Sequence, residues 1–250
     1  MCTLAVAFQT DRRWPLVIAA NRDERLGRAS EGWALREPAS GPRYAAPKDL
    51  LAGGTWIGVS ARGVFAAVTN YHAPSGAFPD PSRRSRGELV GKALAHPDAA
   101  AARAALSAED AAAYNPFHLV VADAERAFLL RFDGDRGALQ DLGPGLHVVT
   151  EQAHEDRGPR GELVRARWPL DLDPARLREV LTTHGPGREG TCIHADPLYG
   201  TRSATVLRLA RSLDASELYA ADGRPCTSPL EDRSRLLQAL ALDTGGDVHH

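Results

Sequence analysis

Residues Met1 to Glu24 read MCTLAVAFQTDRRWPLVIAANRDE. Two apolar runs, 3–8 and 15–20, flank the polar turn Asp11-Arg12-Arg13. This is the pattern of a β-hairpin with at least one fully buried face. The second run leads straight into Asn21-Arg22-Asp23-Glu24, read as the strand's end. A strand of seven or eight residues spans roughly 25 Å, and antiparallel pairing sets the start of one beside the end of the other. Arg22 or Asp23 is therefore expected within reach of Cys2.

Cys2 carries the most chemistry. Loss of Met1, which a small second residue permits, leaves a thiol and a free α-amine on one residue. The amine titrates near about 7.7–8.0 and a free thiol near about 8.5, so the amine can serve as base at neutral pH. A nearby cation lowers the thiol pKa, and a carboxylate can hold the amine. The ordinary alternative is a small apolar residue opening a strand.

Working outward, 27–51 reads as a loop, followed by strands over 55–60 and 64–69. The second of these delivers Asn70 and Tyr71 to its end. An Asn amide there is either an oxyanion donor or a turn residue. A polar, Pro-rich loop over 72–86, read as mobile or a lid, precedes helices over 87–95 and from Asp98, as N-cap, to about Leu106. Strands are expected at 117–122, 127–132 and 146–150, then helices at 161–168 and from Pro174 behind the Asp173 cap. Late strands fall at 205–209 and 217–220. The capping-box form Ser228-Pro229-Leu230-Glu231 predicts a last helix to about Leu242. Segregated strands and helices give an α+β fold, with residues 1–250 as one domain. Two antiparallel sheets between helix layers, a four-layer αββα sandwich, use every element.

The chain has 250 residues and a formal net charge of -2, which argues against a nucleic-acid partner. No apolar run approaches the roughly 20 residues of a membrane helix. Three widely spaced cysteines suit a reducing cytoplasm, and no signal peptide is expected. Gly185-Pro186-Gly187-Arg188-Glu189-Gly190 matches G-x-G-x-x-G but follows a helix, so it is not a dinucleotide loop. Cys192-Ile193-His194 lacks a partner pair at zinc spacing, and no metal site is expected. Arg202, before a late strand, is either an anion-binding cation or half of a surface ion pair.

Met1-Cys2, the Asn21–Glu24 tetrad, Gly53-Gly54-Thr55-Trp56-Ile57-Gly58, Thr69-Asn70-Tyr71, Arg86-Gly87-Glu88-Leu89, Tyr199-Gly200-Thr201-Arg202-Ser203 and Glu231-Asp232-Arg233-Ser234 together resemble the NRDE-motif, or transport-and-Golgi-organisation-2, family. That family looks like a branch of the N-terminal-nucleophile hydrolases. The resemblance implies an αββα fold and relatives among cysteine amidases that cleave bile-salt conjugates and penicillin V. Cys2 then matches the nucleophile, Asp23 the acid that positions the amine, Asn70 an oxyanion-hole asparagine and Arg202 a late active-site arginine. Those amidases carry Arg three residues before the Asp, where this chain has Ala20. Arg22 stands one residue before it instead and is expected on the face opposite Ala20. A second asparagine is replaced near 149–151 by Glu151, an anion that cannot donate to an oxyanion. Asn21, Tyr71, Glu151 and Trp56 complete the set as substrate-binding candidates.

Two functions follow. One is a cofactor-free hydrolase of a small-molecule acyl amide, with Arg22 or Arg202 stabilising negative charge. The other is a non-catalytic carrier or trafficking protein for an amphipathic ligand such as acyl-CoA or haem, with Cys2, His72 or His118 as possible haem ligands.

Overall fold

The computed structural model describes residues 2–72 and 79–244. Six strands come first: β1 (Cys2–Phe8), β2 (Leu16–Arg25), β3 (Ser30–Arg36), β4 (Tyr44–Asp49), β5 (Ile57–Ser60) and β6 (Phe65–Asn70). Helices α1 (Gly87–Leu94) and α2 (Ala99–Ser107) lead to strands β7 (Phe117–Ala122), β8 (Ala127–Phe132), β9 (Gly137–Asp141) and β10 (Gly145–Thr150). Then come α3 (Pro159–Arg167), α4 (Pro174–Leu181), β11 (His194–Asp196), β12 (Tyr199–Leu209), β13 (Glu217–Ala221), β14 (Glu231–Asp232) and α5 (Arg235–Thr244).

One sheet is ordered β10-β1-β2-β12-β13-β14, with β11 on β12; the other is the meander β3 to β9. All the pairings between these strands are antiparallel. β1 and β2 read as unbroken apolar runs because both faces are buried. Leu4, Val6, Phe8, Leu16 and Ile18 meet the second sheet's Ile57, Phe65 and Ala67 in the central core. Ala5, Ala7, Val17 and Ala19 face outward onto Val164 of α3 and Leu177, Val180 and Leu181 of α4. Small residues on that face let the helices approach closely. Leu89, Val90 and Leu94 of α1, with Leu106 of α2, cover the meander's outer face. The expected four-layer αββα sandwich is the observed one, with α5 closing its flank through Leu237 and Leu240.

Two of the three expected helix caps, Asp98 and Asp173, act as the sequence predicts. The Asp98 carboxylate accepts from Ala101 N–H at 2.7 Å. That of Asp173 accepts from Ala175 and Arg176 N–H at 2.9 and 3.2 Å.

Four expectations need correction. The stretch 27–51 holds β3 and β4 rather than a loop, and β9 is an additional strand. β2 runs on to Arg25, so the NRDE tetrad lies inside a strand. Ser228 sits in a turn, its N–H bonded to Arg224 O at 2.7 Å, and α5 begins only at Arg235. Met1 and residues 73–78 of the expected 72–86 loop lie outside the described residues.

Candidate active site

Cys2 pairs with Arg22 across the hairpin, and Thr3 with Asn21. Residues two apart on a strand share a face. Ala20 and Arg22 therefore point the same way as Cys2, toward the second sheet, correcting the expectation of opposite faces. All three line a cavity of about 20 Å³, room for a single water. Trp56, Thr69, Ser203 and Thr205 complete its polar and aromatic walls.

Arg22 is held from two sides. Its Nη2 donates to Asp49 Oδ2 at 3.2 Å, and its guanidinium carbon lies 4.1 Å above the Trp56 ring. Asp49 also accepts from Arg28 Nε at 2.6 Å. Burial pushes the Asp49 carboxyl up, but the Arg28 contact and two backbone N–H groups outweigh it and hold it below its usual range. Arg22 Nη1 and Thr69 Oγ1 are buried with no hydrogen-bond partner among the described residues. Buried polar atoms are rarely left that way. Here one guanidinium nitrogen of Arg22 and the Thr69 hydroxyl lack partners among the described residues, on two residues that line the same cavity as Cys2.

Asp23 is buried on the opposite face of β2. Its Oδ1 accepts from Thr201 Oγ1 at 2.5 Å, and its backbone carbonyl accepts from Tyr199 Oη at 3.1 Å. Burial pushes its carboxyl up to about 7. Burial also raises the Cys2 thiol, an effect reduced by the Asp23 backbone N–H and the Arg22 charge. Asn21 is a brace: its Nδ2 donates to Leu181 O and Thr191 O, both at 2.8 Å.

Glu151 lies just past β10, the other neighbour of β1. It forms a buried ion pair with Arg160 Nη1 at 2.8 Å, and Arg160 Nη2 reaches Arg188 O. Its carboxylate is committed to that cation.

Arg202 does not join the Cys2 cavity. β12 bulges between Thr201, which pairs with Asp23, and Ser203, which pairs with Arg22. Arg202 is the extra residue, so its side chain is re-aimed. Its Nη1 donates to the carbonyls of Leu26 and of Arg28, the latter at 2.9 Å. It lines a second cavity of about 180 Å³ with Trp33, Pro47 and Asp222, separated from the first by Trp56 and Ser203. Asn70 ends β6 one residue beyond Thr69, which is the one that lines the Cys2 cavity. Tyr71 packs on the buried His118 ring at 4.4 Å, while His72 is exposed, its N–H bonded to Glu151 O. Burial drives His118 down to about 4.

Sequence reasoning missed Thr69, Ser203, Arg160 and Arg86. Arg86 is half-buried, near enough to Cys2 to feel its charge, and donates to Pro116 O at 3.0 Å. Thr69 and Ser203 sit inside quoted motifs, so strand parity was the signal available for them.

Residues 1–169 match the model of the family Transport and Golgi organisation 2. A Bos taurus "Transport and Golgi organization protein 2 homolog" is 32% identical over 251 residues, covering 83% of this chain and 88% of that protein. The Homo sapiens homolog is 33% identical over 162 residues, 60% of this chain and 56% of that protein. Among solved structures, a Caenorhabditis elegans N-acylethanolamine-hydrolyzing acid amidase ortholog superposes with TM-score 0.60 at 15% identity, covering 83% of this chain and 92% of that one. Penicillin V acylase from Agrobacterium tumefaciens gives 0.55 at 14%, covering 94% and 88%. The C2A mutant of conjugated bile acid hydrolase from Clostridium perfringens gives 0.55 at 10%, covering 94% and 93%. At such identities the likeness establishes the fold, that of the N-terminal-nucleophile hydrolases. With its family model matched over two thirds of its length, this chain belongs to the Transport and Golgi organisation 2 family.

Proposed function

We propose that this chain is an N-terminal-cysteine amidohydrolase that cleaves a non-peptide C–N bond through a thioester. One observation carries the reading. Cys2, Arg22 and Thr69 line one small cavity, and Arg22 Nη1 and Thr69 Oγ1 are buried with no partner among the described residues. A carbonyl oxygen gaining negative charge there finds donors already desolvated and fixed, which is where such donors act most strongly.

Burial keeps Cys2 a neutral thiol, so it needs a base. Cys2 pairs with Arg22, whose neighbour along β2 is Asp23, and the Cys2 thiol feels the Asp23 charge. When Met1 is removed, the new α-amine stands beside that carboxyl. The amine takes the thiol proton, and the thiolate attacks the amide carbonyl. Arg22 Nη1 and Thr69 Oγ1 donate to the oxyanion. Collapse breaks the C–N bond, and the ammonium returns the proton to the leaving amine. Water then adds to the thioester, the amine accepting its proton, and releases a carboxylic acid and the free thiol.

The test is incubation of the processed protein with a panel of acyl amides, followed by intact-mass and peptide mass spectrometry. An acyl adduct on Cys2 that disappears with time supports the reading. No adduct with any amide or lactone, in protein shown to begin at Cys2, refutes it.

The carrier reading draws on the second cavity. At about 180 Å³, with Trp33, Trp56, Arg202, Glu31 and Asp222 on its walls, it offers aromatic surface and a cation beside two carboxylates to an amphipathic ligand. Binding of an acyl-CoA that Arg202→Ala abolishes and Cys2→Ala leaves intact, with no turnover, would favour it over hydrolysis.

A further inference from the structure

Four side chains that the amidase chemistry does not use converge on the far side of Asp23. They are His184, Cys192, His194 and Cys226, and their ligand atoms all lie within 4.8 Å of one another. Cys192 Sγ is 3.5 Å from Cys226 Sγ and 3.6 Å from His194 Nε2, and His194 Nε2 is 3.3 Å from Cys226 Sγ. The His184 and His194 rings meet edge to face, with centroids 4.8 Å apart. Tetrahedral zinc binds sulfur at about 2.3 Å and imidazole nitrogen at about 2.0–2.1 Å, which makes the edges of its ligand tetrahedron roughly 3.5–3.8 Å. The three separations fall within a few tenths of an ångström of those edges.

The backbone is folded to make this cluster. The glycine-rich stretch 185–190 closes on itself: a Cβ on Gly190 would lie 2.6 Å from Gly185 N and 2.7 Å from Thr183 O. Gly187 takes φ +56, in the left-handed region that glycine adopts freely. Cys192 N–H then donates to Thr183 O at 3.0 Å, bringing His184 back over Cys192 and His194. Cys226 arrives from the turn between β13 and β14, closed by Ser228 N–H on Arg224 O. The dinucleotide-like glycine pattern therefore has a different use, and the partner pair that the sequence lacks locally comes from residues 184 and 226.

We propose that His184, Cys192, His194 and Cys226 form a structural zinc site. Two thiolates balance the ion's charge, and four protein ligands leave no open position, the mark of a structural rather than a catalytic centre. Cys192 is buried and both histidines are exposed, so the ion enters from solvent. The site clamps the segment that braces the NRDE strand. Ile193 N–H donates to Thr201 Oγ1 at 2.8 Å, which donates to Asp23, and Thr191 O accepts from Asn21. The proposal is independent of whether Cys2 is a nucleophile.

The experiment is metal analysis of the untagged, full-length protein, then cobalt titration after chelation. We expect about one zinc per chain. Cobalt should show intense tetrahedral d–d bands and a thiolate charge-transfer band, saturating at the same ratio. His184→Ala, at an exposed position with little bearing on folding, and Cys226→Ser should each weaken binding by more than the roughly 10–100-fold that outer-shell changes cost. Cys2→Ser should bind as the unmodified chain does. Three results would overturn the proposal: folded protein that takes up no tetrahedral cobalt, metal that survives both ligand substitutions, or a Cys192–Cys226 disulfide in the freshly isolated chain.

Discussion

Two cysteine centres lie at the ends of one short relay of hydrogen bonds, and their surroundings give them opposite chemistry. Cys2 pairs with Arg22, next to Asp23; Asp23 accepts from Thr201, which accepts from Ile193, next to Cys192. At the first end Cys2 lines a water-sized void together with Arg22 and Thr69, each of which has a polar atom without a partner among the described residues. At the other, two sulfurs meet each other and two imidazoles at the surface. Under the proposed function the lone thiol, held protonated by burial, needs the α-amine as its base before it can attack. Two thiols with neutral nitrogen donors at tetrahedral spacing are set up to bind an ion.

The sharpest break between the two ends comes from Cys2→Ala. Acylation should fall by about 10⁴-fold or more, as expected for a nucleophile. Zinc content should not change. Loss of both from this one substitution would mean that the two ends fold as one unit, and parallel mass and metal measurements on the same sample decide it.

Arg160 touches both regions, through Glu151 beside β1 and through Arg188 in the glycine-rich loop. Arg160→Met strands a buried carboxylate and should cost about 3–5 kcal/mol, read by denaturant unfolding. Zinc affinity should drop with it. If stability falls while the metal stays tightly bound, the loop is held by its own glycine contacts.

Asp23 gives a pH signature. Its folded pKa, about 7, lies above its ordinary value of 3.8. Between those values the folded chain holds more protons than the unfolded one, so this group's contribution to stability declines as pH rises from about 4 to about 7. The slope is at most about 1.4 kcal/mol per pH unit. Asp23→Asn should remove that decline, seen as the difference between the two chains' unfolding curves across pH. An unchanged slope would mean that the carboxyl is ionised throughout and already pairs with a cation.

Strand-borne features were legible in the sequence because periodicity and β-branched runs report burial directly. The 3–8 and 15–20 runs set Arg22 or Asp23 within reach of Cys2, and the structure pairs Cys2 with Arg22. β9 escaped notice because it is an exposed edge whose residues, Gly137–Asp141, show no alternation. β3 and β4 hid among prolines, glycines and charges for a related reason: most β3 residues are only partly buried. Arg202 misled because one bulge shifts side-chain parity, and no local pattern announces a bulge. The metal cluster was invisible because its ligands stand 8, 2 and 32 residues apart, and only the closed loop and the β13–β14 turn join them.

Thr69 offers the smallest effect and the cleanest separation of the two ends. Its Oγ1 is buried without a partner among the described residues, so the folded chain bears a desolvation cost with no hydrogen bond in return. Thr69→Val keeps the shape and removes the hydroxyl. If the group serves only packing, the substitution should be silent or should raise stability by about 1 kcal/mol. If the hydroxyl also stabilises the oxyanion, the rate of thioester formation should fall by about 10²-fold, with substrate affinity little changed. Higher stability with lower turnover in one variant marks a residue kept for chemistry at the expense of the fold. The zinc site, out of reach of this hydroxyl, should register nothing. Unaltered turnover would leave Arg22 as the donor and move the oxyanion off the β6 side of the cavity.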